Sequence, residues 1–299
     1  LTPAFARGSA LSELASRLSA ANLDLARKGL ADRDPLVRIG ALDMLEGAPA
    51  SRIWPLVSPL LSDAVRGVRL RAVMLAAAVP SASQPPAERA QFDRAAAEFI
   101  ASQTRNADRP EARSALGTFQ ARRGRTAEAE AEYKASLRLS PQYAGAAINL
   151  ADLYRSLGRE PDGEGVLRQA LAASPREAGL HHALGLTLIR LKRHAEALDD
   201  LRRAAELAPD QARYAYVYAV GLHASGQASA AIAVLKDTLT RHPTDRATLS
   251  ALIGFSRDAG DLASALEYAE RLAQLAPGDP RPRVLVESLR RQIGAPEAR

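Results

Sequence analysis

The chain contains no cysteine. Disulfides, thiolate zinc sites and covalently attached c-type haem are therefore excluded within it. Aromatic residues make up only 4% of its 299 positions, with a single tryptophan, although 47% of residues are hydrophobic. Alanine supplies the difference. That composition suits closely packed helices and disfavours a β-rich fold, whose strands want Val, Thr and aromatics. No apolar run approaches the ~20 residues of a spanning helix, so no membrane span is expected. Charge is not concentrated either, the net +6 being spread along the chain. The short clusters Arg122-Arg123-Gly124-Arg125 and Arg190-Leu191-Lys192-Arg193 fall at predicted helix ends, where cations complement the dipole. No nucleic-acid partner is expected from them.

Catalytic signatures are missing as well. The histidines are His181, His182, His194, His223 and His242. Neighbours in a helix do not face each other, so His181 and His182 do not chelate one ion. Gly163 and Gly165 near Asp162 follow no strand and lack the rest of a phosphate-loop fingerprint. No nucleophile motif is present. The sequence predicts no enzyme activity, no metal site and no cofactor in this chain.

What the sequence has is a period. Pro141, Pro175, Pro209, Pro243 and Pro277 recur every 34 residues without insertion or deletion. Gly124, Gly158, Gly226 and Gly260 keep the same register, with Lys192 in the third repeat. Ala129, Ala197, Ala231 and Ala265 mark another position, held by Gly163 in the second repeat. Leu116-Gly117, Leu150-Ala151, Leu184-Gly185, Tyr218-Ala219 and Leu252-Ile253 mark a third. Tyr133, Leu167, Leu201 and Leu235 fill a bulky position, with Ala269 as the exception. Apolar stripes at helical spacing run through each repeat. Glycine ends the first helix by accepting a left-handed conformation, and proline stops the second. A single hairpin of this kind cannot bury its apolar face, so neighbours must stack.

These residues identify the segment 110–279 as resembling the tetratricopeptide repeat (TPR) family. It departs from the family at the tryptophan position, which holds Arg113, Ala147, His181, Ala215 and Leu249. Residues 1–80 carry a second period of 31: Arg7 and Ala10 recur as Arg38 and Ala41, then Arg69 and Ala72. The stretch Asp34 to Leu42 resembles the second helix of a HEAT repeat, capped by Asp34 with Pro35 in its first turn. Asn22 to Leu30 and Arg52 to Leu61 are the expected first helices, the latter restricted by Pro55 and Pro59. Trp54 reads as core. The expected fold is therefore all-α, a right-handed α-solenoid of HEAT-like repeats, five TPRs and a capping helix. The divisions are 1–80 (HEAT-like), 81–109 (linker and degenerate half TPR), 110–279 (TPRs) and 280–299 (a solvating cap over Arg281–Ile293, and a disordered tail). The array opens on a second helix, from which the chain is expected to be the C-terminal part of a longer protein.

The resemblance also implies a ligand surface. In TPR proteins the first helices line a concave groove that binds protein or peptide. Counting from the start of each repeat, position 5 carries Ile148, His182 and Tyr216. Position 9 carries Asp152, Leu186 and Val220, and position 12 carries Arg155, Ile189 and His223. Arg190 follows at position 13 of the third repeat, and Asn149 matches the asparagine that many TPR proteins bond to peptide backbone. Tyr214 is expected to pack on the preceding repeat. The carboxylate clamp of chaperone-tail receptors is not expected, since Gly179 and Ala183 stand where it needs bases. Protonated His182 and His223 would repel a basic partner below about pH 6.5.

Two other readings stand beside the peptide-binding scaffold. The domain order resembles the C-terminal half of certain bacterial multihaem cytochrome c proteins, which implies a docking module in the periplasm with haem motifs upstream. The arginines Arg7, Arg38, Arg66, Arg69 and Arg71 could offer nucleic acid a HEAT surface, although Arg38 and Arg69 lie in the repeat motif, where an inter-repeat role is expected. The sequence carries no signature of an oligomeric state.

Overall fold

The computed structural model of the chain describes residues 3–14 and 20–294. Most of the expected C-terminal tail, 295–299, lies outside the described residues. All regular structure among the described residues is helical, so the chain is all-α. It divides into two compact units, Leu1–Asn149 and Leu150–Arg299.

The first unit holds α1 (Ala4–Glu13), α2 (Ala20–Leu30), α3 (Pro35–Met44), α4 (Ala50–Val57), α5 (Arg66–Ala76), α6 (Pro86–Thr104), α7 (Pro110–Arg122) and α8 (Thr126–Leu139). It also holds the start of α9 (Ala144–Ser156). Asp34 caps α3, its side chain accepting from the Leu36 N–H at 2.9 Å. Proline limits α4 as expected. The helix contains Pro55 and gives way after Val57 to a 3-10 turn over Ser58–Ser62, because each proline removes a backbone donor. One continuous core runs from Leu11 through Leu42, Val73 and Phe99 to Phe119. Trp54 is 5% exposed within it, and its Nε1 donates to Glu88 Oε2 at 2.7 Å.

The 31-residue period has a physical basis in arginine. Arg7 pairs with Asp32, Arg38 with Asp63, and Arg69 with Glu98. Arg38 Nη1 also donates to the carbonyls of Asp32 and Arg33, and Arg69 Nη1 to those of Asp63 and Ala64. Each of these two side chains thus ties the turn before its helix to an acid at the next step. Arg66 and Arg71 are paired as well, with Glu98 and with Asp43 and Glu46.

The second unit continues α9 into α10 (Glu160–Ala173), α11 (Ala178–Arg190), α12 (His194–Leu207), α13 (Ala212–Ala224) and α14 (Ala228–Arg241). It ends with α15 (Arg246–Asp258), α16 (Leu262–Leu275) and α17 (Pro280–Gly294). The predicted pairing of 110–123 with 126–139, repeated every 34 residues, is observed. First helices start at 110, 144, 178, 212 and 246, and second helices at 126, 160, 194, 228 and 262. Asp245 and Asp261 cap α15 and α16 through the N–H groups of Thr248 and Ser264.

Two features explain why the register tolerates no drift. The turn between the paired helices needs a left-handed residue. Gly124, Gly158, Gly226 and Gly260 have φ between 70° and 79°, and Lys192 adopts the same conformation at 61°. Side chains disfavour that region by ~1–2 kcal/mol, so the turn is imposed by the packing on either side. The paired helices also approach closely at Gly117 and Gly185. A Cβ there would lie 2.7 Å from the Tyr133 ring or from Leu201 Cγ.

The last helix differs from expectation in one respect. α17 begins 34 residues after α15 and so occupies the place of another first helix. It is more than a solvating cover: Leu289 is fully buried, and Leu285 and Val286 join the core made by Leu252, Ala265 and Leu272. Its outer side still shows Val284, 60% exposed.

Candidate functional site

The second unit alternates the first and second helices of its repeats. Ion pairs lie on the second helices. Arg168 and Arg193 each bridge Glu164 and Glu196, forming a closed ring between α10 and the start of α12. Arg202 pairs with Glu206, and Arg241 with Asp237. First helices of the second unit leave apolar side chains in partial contact with solvent, as second helices also do at Leu198, Ile232 and Leu275. Leu186 and Ile189 on α11 and Tyr216 on α13 are half-buried, and Val220 on α13 is 39% exposed.

Adjacent first helices are joined by aromatic pairs. The His182 ring on α11 lies 4.6 Å from the Tyr214 ring on α13. The His223 ring on α13 stacks on Phe255 of α15, with centroids 3.9 Å apart and planes within 5°. Tyr214 therefore packs on the preceding repeat, as expected. Phe255 was not among the predicted site residues. Its signal was available: each pair joins residues 32 apart, two short of the repeat, which places the partners across neighbouring first helices.

The expected residues meet different fates. Ile148 and Asn149 belong to the first unit and the remaining candidates to the second. Asn149 Nδ2 donates to Thr118 Oγ1 at 3.4 Å, which also receives the Tyr133 hydroxyl. Asp152 and Arg155 pair with each other at 3.1 Å on the exposed face of α9. Arg190 is held by Glu160 and by Thr187 Oγ1. His182, Leu186, Ile189, Tyr216, Val220 and His223 lie on the neighbouring helices α11 and α13.

Burial, and secondarily Arg213, pushes the His182 imidazole down to about 4. Its Nδ1 is buried without a hydrogen-bond partner among the described residues. His182 is therefore neutral at pH 6.5, and the expected repulsion of a basic partner at that pH does not come from it. The linkage has a definite sign. The unfolded chain takes up a proton at this residue near pH 6.5, while the folded chain resists it down to about 4. Stability contributed by His182 is thus complete above 6.5 and falls as pH drops from 6.5 towards 4. Urea titrations at pH 7.5 and 4.5 should show a loss that His182→Asn reduces. An equal loss in the variant would place the effect on other groups.

His181, next to it, points the other way and is buried. Its Nδ1 lies 2.7 Å from Asp200 Oδ1 and its Nε2 3.0 Å from the Pro175 carbonyl. A cavity of about 410 Å³ adjoins this pair. A histidine–aspartate pair serves as a base only when its second nitrogen faces a nucleophile. Here that nitrogen meets a backbone carbonyl, so the pair ties α11 to α12. Among the described residues no group of three His, Asp or Glu is placed to hold a metal ion, and no helix is long and apolar enough to cross a membrane.

The helix-pair geometry defines an α-helical repeat protein, and a family match makes this specific. The tetratricopeptide repeat family model matches residues 87–144, 148–212 and 219–280. The chain belongs to the tetratricopeptide repeat family. The first match takes in α6. Among solved structures, pilF of Pseudomonas aeruginosa is 21% identical over 62% of this chain and 84% of its own, with a TM-score of 0.51. YrrB, a TPR protein with an unusual peptide-binding site, is 17% identical over 63% of this chain and 97% of its own, with a TM-score of 0.48. MamA is 19% identical over 54% of this chain and 95% of its own, also with a TM-score of 0.48. No curated protein matches the sequence.

Proposed function

We propose that the chain is a non-catalytic scaffold that binds an extended protein segment along the first helices of its repeats. The observation that carries this reading is the row of partly exposed apolar and aromatic side chains shared by neighbouring first helices. On α11 and α13 Leu186, Ile189, Tyr216 and Val220 are partly uncovered, and ring contacts of His182 and His223 join α11 to α13 and α13 to α15. Apolar side chains grouped on one face and rimmed by polar residues are the usual composition of an interaction surface. Packed helices lie ~8–10 Å apart, a spacing that suits alternate side chains of an extended peptide.

Tyr216 is the expected anchor, since it combines a rigid apolar body with a hydroxyl. Peptides selected from a random library against the wild-type chain provide the probe. Calorimetric titration should show Tyr216→Ala binding them less tightly by about 2 kcal/mol, a typical hot-spot loss, with the fold intact. Equal affinity for two folded proteins would remove Tyr216 from the site.

Residues 4–76 are read as HEAT-like hairpins that precede the TPR segment. The shared role of Arg38 and Arg69 at one repeat step supports this. The same ion pairs weigh against a nucleic-acid surface. Arg7, Arg38, Arg66, Arg69 and Arg71 all have carboxylate partners, and freeing them for phosphate would break those pairs.

A further inference from the structure

The connection from α5 to α6 passes beside the C-terminal end of α7 and borders a cavity of about 280 Å³. Ala77, Val79 and Pro80 supply an aliphatic wall, Phe92 an aromatic one, and Arg122 and Arg123 the charge. The two arginines are used differently. Arg122 is spent inside the fold, pairing with Glu46 and donating from Nη1 to the Met74 carbonyl at 3.0 Å. Arg123 lies over the rings of Phe92 and Phe119, 5.4 and 5.6 Å from their centroids. It has no ion-pair partner and donates no side-chain hydrogen bond among the described residues.

Apart from these ring contacts, no carboxylate or carbonyl engages this guanidinium among the described residues. Of the nearby carbonyls, Met74 O is taken by Arg122 and Val79 O by the buried Gln84 amide, at 2.9 Å. Burial lowers the affinity of Arg123 for its proton, and Arg125 lowers it further. Asp93 opposes them from beyond ion-pair distance. Arg123 is thus a partly desolvated cation facing a cavity with its donors unused. A guanidinium held against aromatic rings keeps its N–H edge available for two parallel bonds to a planar oxyanion.

We propose that this cavity binds a carboxylate carried on a small aliphatic group. Arg123 grips the carboxylate, and the aliphatic part packs on Ala77, Val79 and Pro80. This site is separate from the first-helix surface of the second unit, and its test does not depend on that reading.

The probe is N-acetyl-leucine, followed by calorimetry and by the fluorescence of Trp54, whose ring lies 6.2 Å from that of Phe92. Saturable binding is expected, weaker by about tenfold or more in Arg123→Gln, the scale of losing a charge-assisted hydrogen bond. Arg123→Lys keeps the charge without the fork and should fall between, which keeps the test decisive if the glutamine variant does not fold. Arg138→Gln, exposed on α8, should bind within about twofold of wild type, because it lines no part of the cavity. 4-Methylpentanoate, which lacks the amide, separates the sources. Equal binding assigns the site to small free acids and weaker binding to peptide C-termini, and either upholds the carboxylate chemistry. The proposal is overturned if N-acetyl-leucinamide binds as well as the acid, if inorganic phosphate binds as tightly, if Arg123→Gln binds like wild type, or if the acid gives no saturable signal.

Discussion

A chain ending at Gly278 should melt at a lower temperature than the full chain and should aggregate on heating. The cut removes α17, and with it the fully buried Leu289 and the partly buried Leu285 and Val286. It also uncovers the other side of the same contact, where Leu262, Leu266 and Leu272 meet it in one core. At roughly 1.5–3 kcal/mol for each fully buried side chain, less the entropy regained by the freed segment, the loss is on the order of 4 kcal/mol. Repeat arrays depend on nearest-neighbour interfaces, so the effect should concentrate in α15 and α16. Calorimetric melting of the two chains at equal concentration is the check. Identical melting curves would mean that α17 contributes nothing to the stack.

Gly185→Val should cost about 3 kcal/mol, the upper range for overpacking a filled core. Even the first added carbon would sit 2.7 Å from Leu201 Cγ and 3.2 Å from the Ala197 carbonyl. Leu201 is fully buried, and the carbonyl belongs to the backbone of α12. The two helices of the repeat would have to separate. Gly254 provides the internal comparison, because a Cβ there meets nothing within 4 Å. Gly254→Ala, inside α15, should stabilise the chain by up to ~1 kcal/mol through helix propensity alone. Chemical denaturation of both variants tests the pair of signs. Two destabilised proteins, or two unaffected ones, would contradict a close approach specific to Gly185.

Much of this architecture was legible because it depends on local chemistry repeated in register. Gly124, Gly158, Gly226 and Gly260 had to be left-handed turns, and Lys192 had to share the turn because the positions around it did not shift. Asp34 before Pro35 was a cap on sequence grounds alone, and the structure has it as one. Arg38 and Arg69 were legible as linkers between repeats because a 31-residue step returned the same side chain. What the period could not convey was the environment of individual side chains. His181 and His182 look alike in sequence, yet one bonds Asp200 while the other lies against Tyr214 with a depressed pKa. That difference comes from which neighbouring helix each faces. A place at a helix end does not distinguish Arg122 from Arg123, but only Arg122 has a carboxylate and a carbonyl partner in the fold. The second is set apart by Phe92 and Phe119, which reach it from α6 and α7. Phe255 was passed over because it lies one position off the rows that the family comparison singles out, although its stacking on His223 places it beside them.

A ligand held by the first helices leaves a direct signature in their backbone amides. Hydrogen–deuterium exchange of the intact chain, with and without a library-selected peptide, measures this directly. Bound peptide should slow exchange in α11, α13 and the neighbouring face of α15, and leave α12, α14 and α16 unchanged. Protection confined to the second helices, or to residues 4–76, would contradict it.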